Sequence, residues 1–296
     1  MLICLRSNSG TKTGVLEENT LKNLSWETDS IKIYHMDHNN NLRIALAQVD
    51  LVWENPEQNR LNLKKDIESL KGVCDVLILP ETFTTGFSMS SINLAEPMDG
   101  PTVSWLIGLS ASTQIAICGS LIIKDNELVY NRFVFVQPDG QISFYDKRHL
   151  FSIGGESYPF VNGDKRMIVN YLGWRIALYI CYDLRFPVWC RNVGDTDLMI
   201  VTANWPAARN EVWNILLKAR AIENQVVVAG VNRIGTDGNG VTYSGNSQMI
   251  NMKGENIAPV LTMDNGWITY EVSLNELQDF KEKFPVARDT DKFTIN

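Results

Sequence analysis

A short and almost wholly apolar run at residues 75–80 (DVLILP) limits the folds open to this chain more than any other feature. A strand with one solvent-facing side alternates apolar and polar residues, whereas a strand that is apolar at nearly every position is covered on both faces. Apolar runs of this kind alternate along the chain with helical patterns, such as those at 56–70 and 210–224. The alternation predicts an α/β protein in which helices cover sheets.

Two hairpins interrupt this alternation. In each, two strand-like runs flank a short turn that contains glycine, at 129–136 with 142–145 and at 167–171 with 174–180. Such turns join antiparallel strands, so the sheets should be mixed rather than purely parallel. Further strands are expected at 42–52, 115–123, 198–202, 226–231, 247–251 and 267–272, and further helices after Pro101 and from about Pro187.

The first 41 residues differ from the rest of the chain. They are polar, rich in Asn, Thr and Ser, and they show no sustained period. We expect residues 1–41 to form a loosely ordered N-terminal extension. Residues 42–296 contain no internal repeat, low-complexity tract or linker, and they are expected to fold as a single domain.

Composition argues against several classes of partner. The chain has 27 Lys and Arg against 34 Asp and Glu, a formal charge of −7 without a basic cluster, which argues against nucleic acid or an anionic membrane. No apolar stretch reaches the roughly 18 residues that a membrane-spanning helix needs. The five cysteines are scattered without a CxxC pair, the three histidines form no metal motif, and the first residues do not resemble a secretory signal. We therefore expect a cytoplasmic protein without disulfides, metal or cofactor.

Three reactive residues stand just beyond apolar runs: Glu81, Lys147 and Cys181. In α/β proteins the loops that follow strand ends meet in a common crevice, where ligands bind. Taken singly, Glu81 could cap a turn, Lys147 could be one of many surface lysines, and Cys181 could be a buried core residue. Their joint occurrence favours a catalytic group.

The chemistry of cysteine narrows the roles of these residues. A cysteine attacks a carbonyl carbon as a thiolate, so it needs a base or a nearby positive charge. Two of the three histidines lie in the polar extension, which leaves only His149 and gives a Cys–His pair little support. A carboxylate can be the base when burial raises its pKa and a lysine balances the charge. Glu81 as base, Lys147 as donor to the oxyanion and Cys181 as nucleophile form a coherent set.

Three segments carry a resemblance to a known family: 79–83 (LPETF), 145–151 (YDKRHLF) and 180–187 (ICYDLRFP). Their order and their flanking residues resemble the nitrilase, or carbon–nitrogen hydrolase, superfamily, and the resemblance covers nearly the whole chain outside the extension. It implies a four-layer αββα sandwich with mixed sheets. Such proteins usually pair into homodimers or larger homo-oligomers, and we expect the same here.

The resemblance also extends the candidate site. In this family a second glutamate follows the lysine, orients it and assists proton transfer, and Glu156 lies nine residues after Lys147. Glu156 could otherwise be an ordinary loop carboxylate. The backbone N–H of Tyr182, the residue after the nucleophile, is implied as a second donor to the oxyanion.

Within the superfamily, the segments ETFTTGFSM, DKRHLF, CYDLRFPVW and ANWP are most similar to those of the 2-oxoacid ω-amidases. The implied activity is hydrolysis of the terminal amide of 2-oxoglutaramate or 2-oxosuccinamate, giving ammonia and the 2-oxo dicarboxylate through a cysteine thioester. Two alternatives stay open. One is another small-amide hydrolase or an N-carbamoyl amidohydrolase of the same superfamily, and the other is a catalytically silent binding or scaffold member.

A substrate of this kind carries a carboxylate far from its amide. That carboxylate needs a cationic or hydrogen-bonding anchor away from Cys181. Candidates for substrate binding, by their position in pocket-like loops, are Phe83, Phe87, Arg185, Trp205 and Arg209. Arg185 could equally form a structural ion pair with a carboxylate, and Arg209 could simply begin a helix.

Overall fold

The computed structural model describes residues 40–294, and the predicted extension lies outside them except for its last two residues. The strands are β1 (Asn41–Gln48), β2 (Val76–Ile78), β3 (Ala116–Asp125), β4 (Leu128–Val136), β5 (Ile142–Asp146), β6 (Ile168–Tyr171), β7 (Trp174–Ile180), β8 (Leu198–Ala203), β9 (Val227–Asn232), β10 (Ile234–Thr236), β11 (Thr242–Ser244), β12 (Gln248–Ile250) and β13 (Gly266–Ser273). The α-helices are α1 (Pro56–Ser69), α2 (Ser91–Leu94), α3 (Pro101–Thr113), α4 (Asn210–Asn224) and α5 (Leu274–Lys283). Short 3₁₀ turns lie at Ser152–Gly154, Cys181–Arg185, Ala207–Arg209 and Val286–Asp289.

Six strands form one sheet, in the order β13-β1-β2-β3-β4-β5. The central strands β1, β2 and β3 are parallel, and antiparallel pairs join β13 to β1, β4 to β3 and β5 to β4. In register, Ile44 of β1 lies opposite Val76 of β2, which lies opposite Ala116 of β3. The sheet is mixed, as the first hairpin in the sequence predicted.

Five further strands form the second sheet, in the order β12-β9-β8-β7-β6. Here β7, β8 and β9 are parallel, while β12 and β6 run antiparallel to their neighbours. Strands β10 and β11 form a separate two-stranded ribbon. Three parallel strands therefore lie within each large sheet, and the segments that follow β2, β5, β7 and β8 supply the site described below.

The side chains of β1 show how the layers stack. Ile44 and Leu46 share one core cluster with Leu178 of β7, so this face of the first sheet packs on the second sheet. Ala45, between them, points the other way and packs with Ile67 of α1. Helices α1 and α3 cover the outer face of the six-stranded sheet, and α4 covers β9 and β12. The predicted αββα sandwich is confirmed.

One predicted element is wrong. Residues 187–190 form only a turn, where a helix was expected from about Pro187. Two hydrogen bonds hold the side chains that follow Pro187. Trp189 Nε1 donates to the Tyr145 hydroxyl of β5 at 3.0 Å, and Cys190 Sγ donates to the Asp183 carbonyl in the turn Cys181–Arg185 at 3.3 Å. Helix α5 has no counterpart among the predicted elements. Over the described part of the chain, no helix is long and apolar enough to cross a membrane.

Candidate active site

Glu81 lies three residues beyond the end of β2 and is fully buried. The next residue, Thr82, has a φ of +41°, which is strained for a β-branched residue, and its N–H donates to Ser120 Oγ at 2.8 Å. Glu81 Oε2 accepts the backbone N–H of Asn204 at 2.8 Å, and Asn204 Nδ2 donates to the Glu81 carbonyl at 2.8 Å. The loop after β8 therefore fixes the carboxylate that follows β2.

Lys147 directly follows β5 and contacts two carboxylates. Its Nζ lies 2.8 Å from Glu81 Oε1 and 2.9 Å from Glu156 Oε1, and all three side chains are 0% exposed. Burial by itself would lower the pKa of Lys147, but the charges of Glu156 and Glu81 outweigh it and raise that pKa above its usual value. The two glutamates therefore favour the ammonium form of Lys147 in this site.

Glu156 lies in the loop after the turn Ser152–Gly154. Gly155 there has a φ of +82°, a conformation that favours glycine, and the Phe151 N–H donates to Glu156 Oε2. Burial raises the pKa of Glu156; Lys147 opposes this shift and Glu81 adds to it, so the net pKa is raised. Two carboxylates thus share one ammonium, and the group carries an excess of negative charge.

Asn131, in the middle of β4, completes this group. Its Nδ2 donates to Glu81 Oε1 at 2.9 Å and to Glu156 Oε1 at 3.1 Å. Its backbone carbonyl accepts the N–H of Lys147 at 3.0 Å, and its side chain is fully buried. We refer to Glu81, Lys147, Glu156 and Asn131 as the acid–base cluster.

Cys181 is the first residue after β7 and begins a 3₁₀ turn. Its φ of +44° places a non-glycine residue in the left-handed region, a strain that concentrates at functional sites. Cys181 is partly exposed, whereas the other cysteines of the described chain are buried. Enclosure by protein raises the pKa of its thiol; the charge of Glu81 adds to this and Lys147 opposes it, with a net rise. The thiol therefore needs a base to become a thiolate.

Asp183 fixes the turn that carries Cys181 and is itself fully buried. Its Oδ2 accepts the Ile180 N–H at 3.1 Å and the Tyr145 hydroxyl at 2.8 Å, and its Oδ1 accepts the His149 N–H at 3.0 Å. The imidazole of His149 also lies on this carboxylate, with Nδ1 2.8 Å from Oδ1, and stacks on Phe186 with ring centres 3.7 Å apart. The histidine is thus engaged in holding the turn, and a carboxylate stays the better candidate for the base.

One cavity of about 370 Å³ brings the reactive groups together. Glu81, Lys147 and Cys181 lie on its wall, and Tyr182 and Phe87 line it beside them. The ring centre of Phe87 lies 5.2 Å from Lys147 Nζ. A concave, partly apolar cavity with a few convergent polar groups is the usual form of a small-molecule site. Glu156 does not line the cavity, but it is hydrogen-bonded to Lys147 Nζ and to the Phe151 N–H, two residues that do.

The two candidate arginines line the same cavity. The guanidinium carbon of Arg185 lies 5.1 Å from the ring centre of Trp205, and that of Arg209 lies 5.4 Å from the ring centre of Phe151. Within residues 40–294 neither arginine forms an ion pair, so the structural pairing considered for Arg185 is not found. Trp205 is held in place by its Nε1, which donates to the Arg209 carbonyl at 2.9 Å.

Phe83 does not line the cavity, and its assignment to substrate binding is corrected. The side chain is 0% exposed and belongs to the core between the six-stranded sheet and its covering helices. It packs against Gly119 of β3, where an added Cβ would stand 3.0 Å from its Cδ1 atom. Phe83 therefore supports the loop of Glu81 from behind.

Asp237 and Tyr243 line the cavity and were not predicted. Asp237 Oδ1 accepts the N–H groups of Asn239 and Val241 at 2.9 and 3.0 Å, and its Oδ2 accepts the Tyr243 hydroxyl at 2.8 Å. Because both of its oxygens already accept hydrogen bonds, this carboxylate shapes the β10–β11 connection. Across the residues that the structure describes, no group of three or more His, Cys, Asp and Glu side chains is placed to hold a metal ion.

Sequence reasoning also missed Asn131 and Asp183. The signal for Asn131 is weak, since it is one polar residue within the run LVYNRFVFV, and strand patterning does not tell which charged groups meet it. Asp183 stands inside the CYDLRFP segment, two residues from the nucleophile. A buried carboxylate at that spacing could have been expected to cap the turn, as it does.

The chain resembles known proteins over most of its length. Residues 43–282 match the family described as Carbon-nitrogen hydrolase. The chain is 45% identical over 254 residues to Omega-amidase YafV of Yersinia enterocolitica, a match that covers 86% of this chain and 98% of that protein. It is 32% identical over 254 residues to 2-oxoglutaramate amidase of Bacillus subtilis (strain 168), which covers 84% of this chain and 97% of that protein.

One solved structure is similar to this chain in both fold and sequence. The crystal structure of XC1258 from Xanthomonas campestris is described as that of a CN-hydrolase superfamily protein with an arsenic adduct in the active site. It matches with a TM-score of 0.85 at 42% identity, covering 86% of this chain and 99% of that chain. The family match over residues 43–282 and these similarities show that the chain belongs to the carbon–nitrogen hydrolase family.

Proposed function

We propose that the protein is an ω-amidase, which hydrolyses the terminal amide of small 2-oxo acid amides such as 2-oxoglutaramate and 2-oxosuccinamate. The observation that carries this proposal is the cavity itself, where the partly exposed Cys181 meets the buried Glu81–Lys147 pair. Similarity to Omega-amidase YafV and to 2-oxoglutaramate amidase over more than four-fifths of the chain supports the substrate class.

In the first half-reaction Cys181 is the nucleophile and Glu81 the general base. Glu81 takes the thiol proton as the sulfur forms a bond to the amide carbon, and the carbonyl oxygen becomes an oxyanion. The Lys147 ammonium and the backbone N–H of Tyr182 donate to this oxyanion. The first N–H groups of a helical turn have no partner within the turn, so the N–H of Tyr182 is available for this role. The oxyanion then collapses, the C–N bond breaks, and Glu81 returns the proton to the departing ammonia.

In the second half-reaction water cleaves the thioester on Cys181. Glu81, again ionised, takes a proton from the water as its oxygen bonds to the thioester carbon. The new oxyanion collapses with loss of the sulfur, which Glu81 reprotonates, and the new carboxylic acid releases its remaining proton to solvent to give the 2-oxo dicarboxylate. One carboxylate thus serves as base and acid in both halves. The raised pKa of the Cys181 thiol fits this scheme, because the thiol holds its proton until the base removes it.

Glu156 acts on the reaction through Lys147. Its two oxygens lie 2.9 and 3.0 Å from Lys147 Nζ. The ammonium is therefore fixed in position between the carboxylates of Glu156 and Glu81. Positioning of this kind is worth a large factor, since a 1 Å displacement can cost on the order of 10²-fold in rate. Glu156 is therefore a positioning residue of the proposed mechanism.

Arg185 and Arg209 anchor the far carboxylate of the substrate. Both line the cavity, both rest on aromatic rings, and both guanidinium groups keep their donors available for an anion. A positive charge at that end also favours a 2-oxo acid over an amino acid, whose ammonium would be repelled. Trp205 and Phe87 supply the apolar wall between the anchor and Cys181.

The test is ammonia release from 2-oxoglutaramate and 2-oxosuccinamate, compared with glutamine, asparagine and an N-carbamoyl amino acid. We expect a strong preference for the two 2-oxo amides and its complete loss in Cys181→Ala. The matched control is Cys74→Ala, since Cys74 is buried away from the cavity, and this variant should keep wild-type turnover. Turnover of the N-carbamoyl compound alone would indicate an N-carbamoyl amidohydrolase instead. Absence of turnover with every amide would indicate a catalytically silent member of the family.

The anchoring role of the arginines has its own readout. Arg209→Gln should raise KM for 2-oxoglutaramate at least tenfold, as expected for loss of an interaction made equally in the ground and transition states. Turnover of a small amide without a carboxylate should not change. The homo-oligomeric state and the cytoplasmic location expected from the sequence stay predictions, which size-exclusion chromatography with light scattering and cell fractionation can check.

A further inference from the structure

Asn131 donates to both carboxylates of the acid–base cluster with one nitrogen. The two N–H bonds of its amide point to Glu81 Oε1 at 2.9 Å and Glu156 Oε1 at 3.1 Å, and Lys147 Nζ lies within 2.9 Å of the same two oxygens. We propose that Asn131 is a positioning residue that keeps Glu81 and Glu156 both ionised and aligned on Lys147. The inference rests on the proposed function, in which Glu81 is the base.

The orientation of this amide follows from chemistry. Ionised carboxylates only accept hydrogen bonds, so the nitrogen of Asn131 faces them and its oxygen faces away. That oxygen, Asn131 Oδ1, is buried and has no hydrogen-bond partner within the described chain. Leaving a buried acceptor unpaired is unfavourable. The side chain therefore places its two donors on the carboxylates at the expense of its own acceptor.

A neutral donor suits this position better than a second cation. Hydrogen bonds to a charged carboxylate stabilise its ionised form, and a nearby positive charge does so far more strongly. A second cation beside Lys147 would therefore oppose the transfer of a thiol proton to any carboxylate of the cluster. The charged and titratable groups that face the Asn131 amide are Glu81, Glu156 and Lys147. Cys181 and Tyr243, which line the cavity, also lie close enough to feel the charge of Glu81.

Asn131 is also tied to Lys147 through the backbone. Its carbonyl accepts the Lys147 N–H at 3.0 Å, next to the register pair of Arg132 and Asp146 in the β4–β5 ladder. One residue thus sets the start of the lysine side chain and the positions of both carboxylates on its ammonium. Asn131 does not line the cavity, so it acts on the substrate only through the cluster.

Two variants test the proposal. Asn131→Asp keeps the shape but replaces the donors with a third carboxylate, and Asn131→Ser is smaller and can reach at most one of the two carboxylates. Both changes remove donors that stabilise negative charge on the acid–base cluster, so the acid side of the pH profile of kcat/KM should move to higher pH. We expect a shift of about one pH unit for Asn131→Ser and more for Asn131→Asp, because an added like charge acts more strongly than a lost hydrogen bond. The value of kcat should fall at least tenfold, with KM for 2-oxoglutaramate nearly unchanged.

Alkylation of Cys181 by iodoacetamide gives a second readout that needs no substrate. The pH at which its rate is half-maximal should rise in the same order, from wild type through Asn131→Ser to Asn131→Asp. The control is Asn224→Ala, since Asn224 is a buried asparagine whose Nδ2 donates to the Cys190 carbonyl outside the cavity. Its loss should lower the melting temperature and leave both pH profiles unchanged.

The two readouts separate this inference from the proposed function. If no 2-oxo amide is hydrolysed but the alkylation profile shifts as expected, the role of Asn131 stands and the substrate assignment fails. If the folded Asn131 variants keep the wild-type profile in both measurements, the inference is overturned. A kcat that falls without any shift of either profile also overturns it, because that pattern would come from a general loss of packing.

Discussion

Two groups of three charged side chains in this protein differ in the sign of their excess charge. In the acid–base cluster one cation, Lys147, lies between Glu81 and Glu156, and all three side chains are 0% exposed. In the second group, the Asp197 group, one carboxylate lies between Arg175 and Lys281, whose side chains are 42% and 26% exposed. The first has an excess of negative charge in the interior, and the second has an excess of positive charge near the surface.

The pKa of the carboxylate shows what this difference means. Burial by itself would raise the pKa of Asp197, but the hydrogen bonds from Arg175 and the charge of Lys281 outweigh it, so the pKa is lowered. In the acid–base cluster burial also raises the pKa of Glu156, and one lysine shared with Glu81 does not reverse it. Folding therefore favours the ionised form of Asp197 and disfavours that of Glu156. The Asp197 group therefore stabilises the fold, whereas the acid–base cluster maintains a carboxylate whose ionised form is disfavoured.

Removing Lys147 should produce the largest effect. In Lys147→Met two buried carboxylates lose their only ammonium, so unfolding free energy should fall by about 3–5 kcal/mol at pH 7, and part should return below pH 5 as a carboxylate takes up a proton. The oxyanion also loses its charged donor, and kcat/KM should fall at least about 10³-fold. Urea denaturation and ammonia release measure the two losses.

The matched variant in the other group is Lys281→Met. Asp197 keeps Arg175, whose Nε and Nη2 each lie 2.7 Å from it, so about 1 kcal/mol or less should be lost. Turnover should not change, because Lys281 does not line the cavity. Equal losses of stability in the two lysine variants would contradict the distinction drawn between the groups.

Glu156→Gln should lower activity with little loss of stability. The ammonium of Lys147 loses one of its two charged partners, and kcat should fall on the order of 10²-fold. Because the pKa of Glu156 is raised in the folded protein, ionising it costs stability, and the wild type should lose that stability as the pH rises above the unfolded value of about 4.3. Glutamine does not ionise, so denaturation between pH 4 and pH 8 should increasingly favour the variant. A variant that becomes relatively less stable with rising pH would contradict the raised pKa.

Part of the fold and of the site could be predicted from local sequence patterns. Glu81, Lys147 and Cys181 were found because each follows an apolar run, and the loops after strand ends of the two packed sheets meet in one crevice. The α/β class and helix α4 followed from hydrophobic period in the same way, whereas the αββα layering was implied by the resemblance of three segments to a known family. These features depend on local patterns that the chain displays along its length.

Other features depend on contacts between distant segments. Asn131 is hydrogen-bonded to Glu81, which lies 50 residues away in the sequence. The sequence of a strand does not indicate which distant residue its polar side chain will contact. Phe83 was placed in the cavity because it follows Glu81 closely, yet the turn at Thr82 directs it into the core. The helix expected from Pro187 is replaced by a turn because Trp189 bonds to Tyr145 across the layers. Local patterning decides the elements, and only packing decides these orientations.

Asp197→Asn should lower stability moderately and leave the reaction unchanged. The variant keeps the shape but loses charge-assisted hydrogen bonds from Arg175, so about 1–3 kcal/mol should be lost at pH 7. Because the folded pKa of Asp197 is lowered, its contribution is complete above the unfolded value of about 3.9 and is lost as the pH falls below it. The melting temperatures of the two proteins should therefore converge as the pH falls through the lowered pKa of Asp197. The pH dependence is opposite to that expected for Glu156→Gln, and slopes of the same sign would refute the comparison.

The exposed pair of Lys64 and Glu68 should contribute least to the free energy of unfolding among these charged groups. These residues are one turn apart on α1, their charged atoms are 3.8 Å apart, and their side chains are 54% and 51% exposed. Water screens both charges, and ordering two long side chains offsets most of the attraction, so Glu68→Gln should cost only about 0.3 kcal/mol. Added salt near 1 M, where the screening length is about 3 Å, should remove even this difference. Salt should leave the loss in Lys147→Met nearly intact, because buried charges are screened far less than exposed ones and all three side chains of this ion-paired group are 0% exposed. If salt removed both differences alike, depth of burial would not be what distinguishes the acid–base cluster from the charges at the surface.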